Sequence, residues 1–275
     1  MWLGHDTVSL AVKIAATASI VVVASIVAER SGPFWGALVA TLPVVSGPIY
    51  IILALETDVR FVSRSALDSF AAAPAIALYL ALFAWMAPRF NIALCLAAAL
   101  ATWFAAAFAV SAVHWTVPLA VATNTVIFAL CLWATDRAWR APHVVAPLPR
   151  RWYDIPARAA AVAIVVAIIA EASRAIGPVA TGIAAVFPIS LSMFALVVHV
   201  RLGGAATAIA MASAARTFLG IALALLVLHL AASAWESWIA LSLALTANLA
   251  WSAGVAACRQ GRGLAALQAL AGRAG

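Results

Sequence analysis

Apolar runs close to the length of a bilayer crossing follow one another along nearly the whole chain, with only short polar links between them. A hydrocarbon core about 30 Å thick is spanned by about 20 apolar residues in a helix. Inside it every backbone amide must be bonded within the protein, so such a chain folds into helices joined by tight turns. Composition leaves no soluble alternative. Of the 275 residues, 67% are hydrophobic and 9% charged, where roughly a quarter are charged in a soluble domain. The expected fold class is an all-α polytopic membrane protein.

About nine runs are long enough to cross. They lie near Val8–Ala28, Phe34–Leu55, Phe61–Ala87, Ile92–Val113, Pro118–Thr135, Ala157–Glu171, Val179–Val200, Ala205–Ala232 and Trp238–Ala257. The first is preceded by no basic segment and no small-residue cleavage site, so a retained span is expected there rather than a signal peptide. Residues 136–156, with prolines at 142, 147, 149 and 156, read as the one substantial extramembrane linker. The tail from Arg259 reads as a frayed or interfacial end.

The net charge of +7 is a topological signal and not a nucleic-acid footprint, because the basic residues are spread among loops instead of gathered on one face. Nine crossings put Arg30, Arg89, Arg137, Arg140, Arg150, Arg151, Arg158, Arg201, Arg259, Arg262 and Arg273 on one side, and Arg60, Arg64 and Arg174 on the other. The richer side is cytoplasmic by the positive-inside rule. The N-terminus is then outside and the C-terminus inside, in a bacterial inner membrane. Trp2, Trp35, Trp85, Trp115, Trp133, Trp139, Trp152, Trp235 and Trp238 fall near span ends, as an interfacial belt would. Trp103 and Trp251 fall inside spans and suit packing or a cavity wall. Cys95, Cys131 and Cys258 match no metal or redox spacing and read as packing residues.

The chain also repeats itself. ERSGPFWGALVATLP (Glu29–Pro43) aligns with RAIGPVATGIAAVFP (Arg174–Pro188), matching Gly32-Pro33 to Gly177-Pro178 and Pro43 to Pro188, with Lys13 matching Arg158 in the same register. After a short insertion SALDSF aligns with SAARTF, matching Ser65-Ala66 to Ser213-Ala214 and Phe70 to Phe218. An odd number of crossings separates the copies, so the second is inverted relative to the first, as in many secondary transporters. The expected plan is 4+1+4: a first four-helix repeat over 8–113, a linking helix over 114–135, a cytoplasmic linker over 136–156, an inverted repeat over 157–257 and a cytoplasmic tail over 258–275.

The stretch GIAAVFPISLSMFALVVHVRLGGAATAIAMASAARTFLGI resembles the GlpM-like small bacterial inner-membrane proteins. The likeness lies in the small residues leading into Phe187-Pro188, the apolar run to His199 and the Gly-rich turn before an Ala-rich span. It extends more faintly to the first half. The resemblance implies two four-span units fused head to tail; it implies no reaction.

Two features carry candidate chemistry. The alignment sets Asp68 opposite Arg216, both inside spans. A charge near mid-membrane costs at least about 2.5–3.5 kcal/mol, so it should face the interior with a partner. The two residues are expected to pair or to line a shared cavity, with a purely structural ion pair, or an Asp68–Arg64 pair one turn away, as alternatives. The second feature is proline-interrupted spans in matching places. Pro43, Gly47 and Pro48 lie in one, and Pro188 with Ser190 and Ser192 in the other. Such breaks free backbone groups and point to a transporter site; a packed kink is the alternative. Thr41, Ser46, Ser190 and Ser192 are the expected lining residues. Thr102, Thr123, Asn124, Thr246 and Asn248 read as structural hydrogen-bonding groups. Lys13 and Arg158 read as snorkelling cations, Glu171 as interfacial beside Arg174, and His199 and His229 as polar anchors near span ends.

The sequence carries no phosphate loop, HExxH, CxxC pair or G-x-S-x-G, and no enzyme activity or cofactor is expected. The expected partners are the lipid bilayer, a small solute or ion, and a second copy as a candidate homodimer mate, with no nucleic acid. The function expected is secondary transport of a small solute. An ion channel is one alternative, since the 4+1+4 layout also resembles the fused fluoride-channel plan, whose motifs this sequence lacks. A non-transporting membrane subunit or scaffold is the other.

Overall fold

The structure, a computed structural model, describes Ser19, residues 45–141 and residues 153–271. All regular structure among them is helical: α1 (Ser46–Glu56), α2 (Val59–Met86), α3 (Ile92–Ser111), α4 (Val117–Ala134), α5 (Asp136–Arg140), α6 (Asp154–Ala185), α7 (Ile189–Ala232) and α8 (Ser237–Ala271). Five helices among these residues are long and apolar enough to cross a membrane. Lys13, Gly32-Pro33, the first expected span apart from Ser19, and the first half of the second lie outside the described residues.

Helix starts follow local chemistry. Asp58 caps α2 by accepting the Phe61 amide at 2.7 Å, and Asn91 caps α3 through the Leu94 amide at 2.9 Å. Pro118 stands in the first turn of α4, where a missing amide leaves no intrahelical bond unmade.

Two glycines reverse the chain inside runs of continuous helix. Gly177 has φ 76° and ψ 176°, and Gly203 has φ 82° and ψ 175°, a region essentially closed to residues with a Cβ. Side-chain contacts trace the reversals. Thr181 reaches back to the Ser173 carbonyl across Gly177. Past it, Gly182 meets Ser65 and Asp68, and Ser192 meets Tyr79, so this stretch runs parallel to α2. Past Gly203, Gly204 meets Ala87 and His229 meets Ser63, so the rest of α7 runs antiparallel to α2. Helix breaks also at Val186–Pro188, between the end of α6 and the start of α7.

The core centres on α2, which packs against α3, α4, α6 and α7, while α8 packs on α7. Ala71, Ala72, Ala73, Ala75 and Ala77 are all buried. Such small residues let membrane helices approach closely. The outer faces of α3, α4 and α8 expose Phe104, Phe108, Leu130 and Leu245, as lipid contact requires.

Trp85, Trp133, Trp235 and Trp238 are exposed, as an interfacial belt requires. Trp115 is instead buried and donates to the Val110 carbonyl, and Trp139 stacks on Arg216; Trp2, Trp35 and Trp152 lie outside the described residues. The tail also departs from expectation. Helix α8 runs on to Ala271, because the Ala, Leu and Gln of that stretch are strong helix formers. Cys95 and Cys131 are buried as expected, but Cys258 is exposed.

Pro74 lies within α2. Lacking an amide hydrogen, it leaves the carbonyl of Phe70, four residues back, without its helical donor. Asn124 of α4 supplies one, its Nδ2 donating to the Phe70 carbonyl at 2.8 Å. Thr102 and Thr246, by contrast, bond to carbonyls of their own helices. Asn124→Ala is expected to destabilise by about 1–3 kcal/mol, the range for a stranded buried acceptor. In a Pro74→Ala background, where the backbone amide restored by the substitution serves Phe70, the same change should cost measurably less; equal losses in both backgrounds, read by thermal unfolding, would separate the two residues.

Candidate functional site

The buried polar groups gather at two levels of the α2–α7 interface. The first surrounds Asp68. Its Oδ2 accepts from Arg64 Nε at 3.1 Å, one turn earlier on α2. Ser69 Oγ donates to the Gly182 carbonyl at 2.5 Å. With the Ser69 hydrogen so engaged, Tyr50 of α1 is the donor in its 2.7 Å bond to Ser69 Oγ. Asp68 Oδ1 and Ser65 Oγ are buried with no hydrogen-bond partner among the described residues. Towards the start of α2, Ser63 Oγ donates to the His229 carbonyl at 3.1 Å, and His229 Nδ1 lies 2.9 Å from the Ser63 carbonyl.

Gly182 makes this enclosure possible. A Cβ there would run into the Ser65 carbonyl oxygen and stand 3.0 Å from both Asp68 Cβ and the Ser69 amide nitrogen. The position therefore sets the distance between α2 and the segment before the helix break.

The second level surrounds Arg216. Its Nη1 donates to the Ala212 carbonyl at 2.8 Å and to Thr135 Oγ1 at 3.3 Å; its Nη2 donates to the Leu132 carbonyl at 3.2 Å and to Asp136 at 3.3 Å. The guanidinium lies 4.6 Å from the centre of the Trp139 ring, a cation–π distance. Arg140 shares Asp136 at 2.5 Å. Trp251 Nε1 donates to the Arg216 carbonyl at 2.8 Å.

The expected Asp68–Arg216 pair is therefore corrected: each charge has a different partner. The cause is geometric. Pairing Ser63 with His229 and Ala87 with Gly204 sets Arg216 opposite Ile76, eight residues past Asp68 on α2, or about 12 Å at 1.5 Å per residue. The two ion pairs are also built in opposite senses. In Arg64–Asp68 the acid is buried and the base exposed, with side chains 1% and 39% accessible. In Arg216–Asp136 the base is the buried member, at 12% against 36%.

The proline features divide likewise. Val186 and Phe187 close the end of α6 through bonds to the Ile183 and Ala184 carbonyls, and the Ser192 amide reopens helix on the Pro188 carbonyl at 2.8 Å. Ser192 Oγ and the Tyr79 hydroxyl are 3.0 Å apart, and Ser190 is buried. Phe187, in the break, packs edge-on against Trp103 at 5.1 Å. Pro48 does not kink a helix: it lies in the first turn of α1, where amides have no intrahelical partner. Ser46 and Gly47 line an almost wholly apolar groove of about 250 Å³ with Tyr50, Leu225, Leu228 and Trp238. Thr41 and Pro43 lie outside the described residues.

Sequence reasoning reached Asp68, Arg216 and Pro188 but missed Ser65, Ser69, Tyr50, Gly182 and Asp136. The serines were visible as flanking polar positions in SALDSF; nothing local signals Tyr50 or Asp136 as a partner. No protein-family model, curated protein or solved structure matches the chain, so functional reasoning rests on the site's chemistry.

Arg216→Ala and Asp136→Ala should be non-additive in thermal unfolding by about 0.5–3 kcal/mol, as for groups in contact, whereas Arg216→Ala and Asp68→Ala should add within about 0.5 kcal/mol. Coupling of Arg216 to Asp68 alone would contradict the two-level arrangement. Gly182→Ala is expected to destabilise by about 1–3 kcal/mol through overpacking; an unchanged melting temperature would mean that the interface opens freely.

Proposed function

We propose that this chain is a secondary transporter that moves a small solute across the bacterial inner membrane by alternating access, with its site at the interface of two inverted repeats. The observation that carries this reading is the helix break at Val186–Pro188, which leads out of the segment packed on the buried Asp68 level. Discontinuous helices beside buried ionisable groups are how transporters expose backbone to a substrate or coupling ion.

The duplication draws further support from spacing. Trp251 follows Trp103 at the interval by which Arg216 follows Asp68. The antiparallel pairing of α2 with residues 204–232 sets Ala72 level with Gly220, which are also equivalent under that interval. Equivalent residues meeting at one level is the geometry of a two-fold axis in the membrane plane. On this reading α1 is the second half of span two, the longer described helices make up spans three to nine, and the arginine bias sets the N-terminus outside. The resemblance to the GlpM-like proteins fits a fusion of two four-span units.

Asp68 is the protonatable or cation-coupling group. Arg216 does not neutralise it. It holds α7 to Thr135 and Asp136, so an anionic solute would bind there by taking the place of Asp136. The two ion pairs then stand on opposite sides of the buried alanine layer, as closures of opposite vestibules.

Two experiments test the reading. A ligand at 100 times its dissociation constant stabilises by about 2.7 kcal/mol, so one class among small anions, cations and amphiphiles should raise the melting temperature of the wild type and fail to do so with Arg216→Ala. In a Cys258→Ser background, Ser190→Cys and Ser192→Cys should react with small aqueous thiol reagents. Inertness at both positions, with no stabilising ligand, would leave Pro188 a packed kink and remove the transport reading.

A further inference from the structure

The Asp68 level contains an acid that lacks one bond and a base placed to supply it. Oδ2 is held by Arg64, while Oδ1 has no partner among the described residues. Ser65, three residues earlier and hence on the same face of α2, has a buried hydroxyl oxygen in the same condition. An ionised carboxylate is only an acceptor, but a protonated one gains an O–H donor. A serine hydroxyl within reach would already donate to an ionised Oδ1, so the two oxygens stand apart and Oδ1 is a buried acceptor with nothing to accept; one proton there removes the buried charge. Two unpartnered oxygens are far too few for a cation such as calcium, which takes six to eight oxygen ligands; they suffice for a proton.

Arg64 makes the protonated state sustainable. Its side chain is 39% accessible, so its charge stays in contact with polar surroundings when Asp68 becomes neutral. In the Arg216–Asp136 pair the acid is the more exposed member, at 36% against 12%.

His229 stands beside this level. It is half-buried near the end of α7, at the end of the bundle where α2 begins, and within Coulombic reach of the Asp68 carboxyl. A carbonyl only accepts, so the 2.9 Å contact with the Ser63 carbonyl places a hydrogen on Nδ1. The neutral ring then offers Nε2 as the proton acceptor. The charged and titratable groups acting on Asp68 are Arg64 from its own helix, His229 from α7 and Tyr50 from α1.

We propose that Asp68 is a proton-binding site loaded through His229, which makes the proton the coupling ion. The proton leaves Nε2 of the imidazolium and ends on Oδ1; His229 returns to its neutral Nδ1–H form, and the carboxylate becomes a neutral carboxylic acid. As coupling, this rests on the transport reading; as protonation, it stands without it.

The test is infrared difference spectroscopy of the purified full-length protein in lipid vesicles, following the C=O stretch of a buried carboxylic acid as pH is lowered. Acidification should raise such a band. Asp68→Asn should lose it, and Ser65→Ala, a small change expected to fold, should retain it. After a rapid pH drop, His229→Gln should slow its appearance. No band at any pH where the protein remains folded, or a band that survives Asp68→Asn, would overturn the site. A spectrum that responds to sodium at fixed pH and not to acid would overturn the proton in favour of a metal cation. An unchanged rate in His229→Gln would overturn the route. No substrate or flux enters the measurement, so a band in a protein that no solute stabilises would count against transport and leave the proton site intact.

Discussion

The close antiparallel contact between α2 and the later part of α7 governs the arrangement of everything around it. In lipid, helices gain little from hiding apolar surface from one another, so association depends on backbone approach and on bonds between helices. Here the approach is set by Gly204 against Ala87 at one end, and bonds join Ser63 to His229 at the other. Helices α3, α4 and α6 pack on α2, and α8 packs on α7. The register of this pair fixes the level of each polar group. It separates Asp68 from Arg216 and gives each its own counter-ion.

The opposed construction of the two ion pairs follows from where each helix meets solvent. Asp68 is enclosed by Tyr50, Ser69 and Gly182, while Arg64 reaches it from one turn nearer the start of α2 and keeps 39% of its side chain accessible. Arg216 reaches the end of α4, where Thr135 and Asp136 begin the polar segment. A long, amphipathic arginine can carry its charge away from its backbone; a short aspartate cannot. The exposed member of one pair is thus the residue with reach, and that of the other is the residue already at a helix end.

Much of the helical frame was legible in the sequence because membrane crossing demands long apolar runs, and because Asp58, Asn91 and Pro118 mark helix starts chemically. Gly177 and Gly203 could be read as turns, each followed by Pro178 or Gly204. The broken span at Pro188 was legible for the same reason: an imino acid cannot continue the amide ladder. The partners were not. The repeat alignment equates Asp68 with Arg216 but carries no axial offset, and that offset decides which charges meet. Arg64 was visible as a neighbour at helical spacing, whereas Asp136 comes from a helix distant in sequence.

The Pro74–Asn124 contact has a mechanical consequence. At Phe70 the ladder of α2 is completed by a side chain from another helix, so α2 behaves as two rods splinted by α4. Asp68 belongs to one rod and Tyr79, with its Ser192 contact, to the other. A small displacement of α4 would therefore change the bend of α2 and tilt the carboxylate layer against the layer that holds the helix break, with the hinge near the middle of α2 and its control on a neighbouring helix.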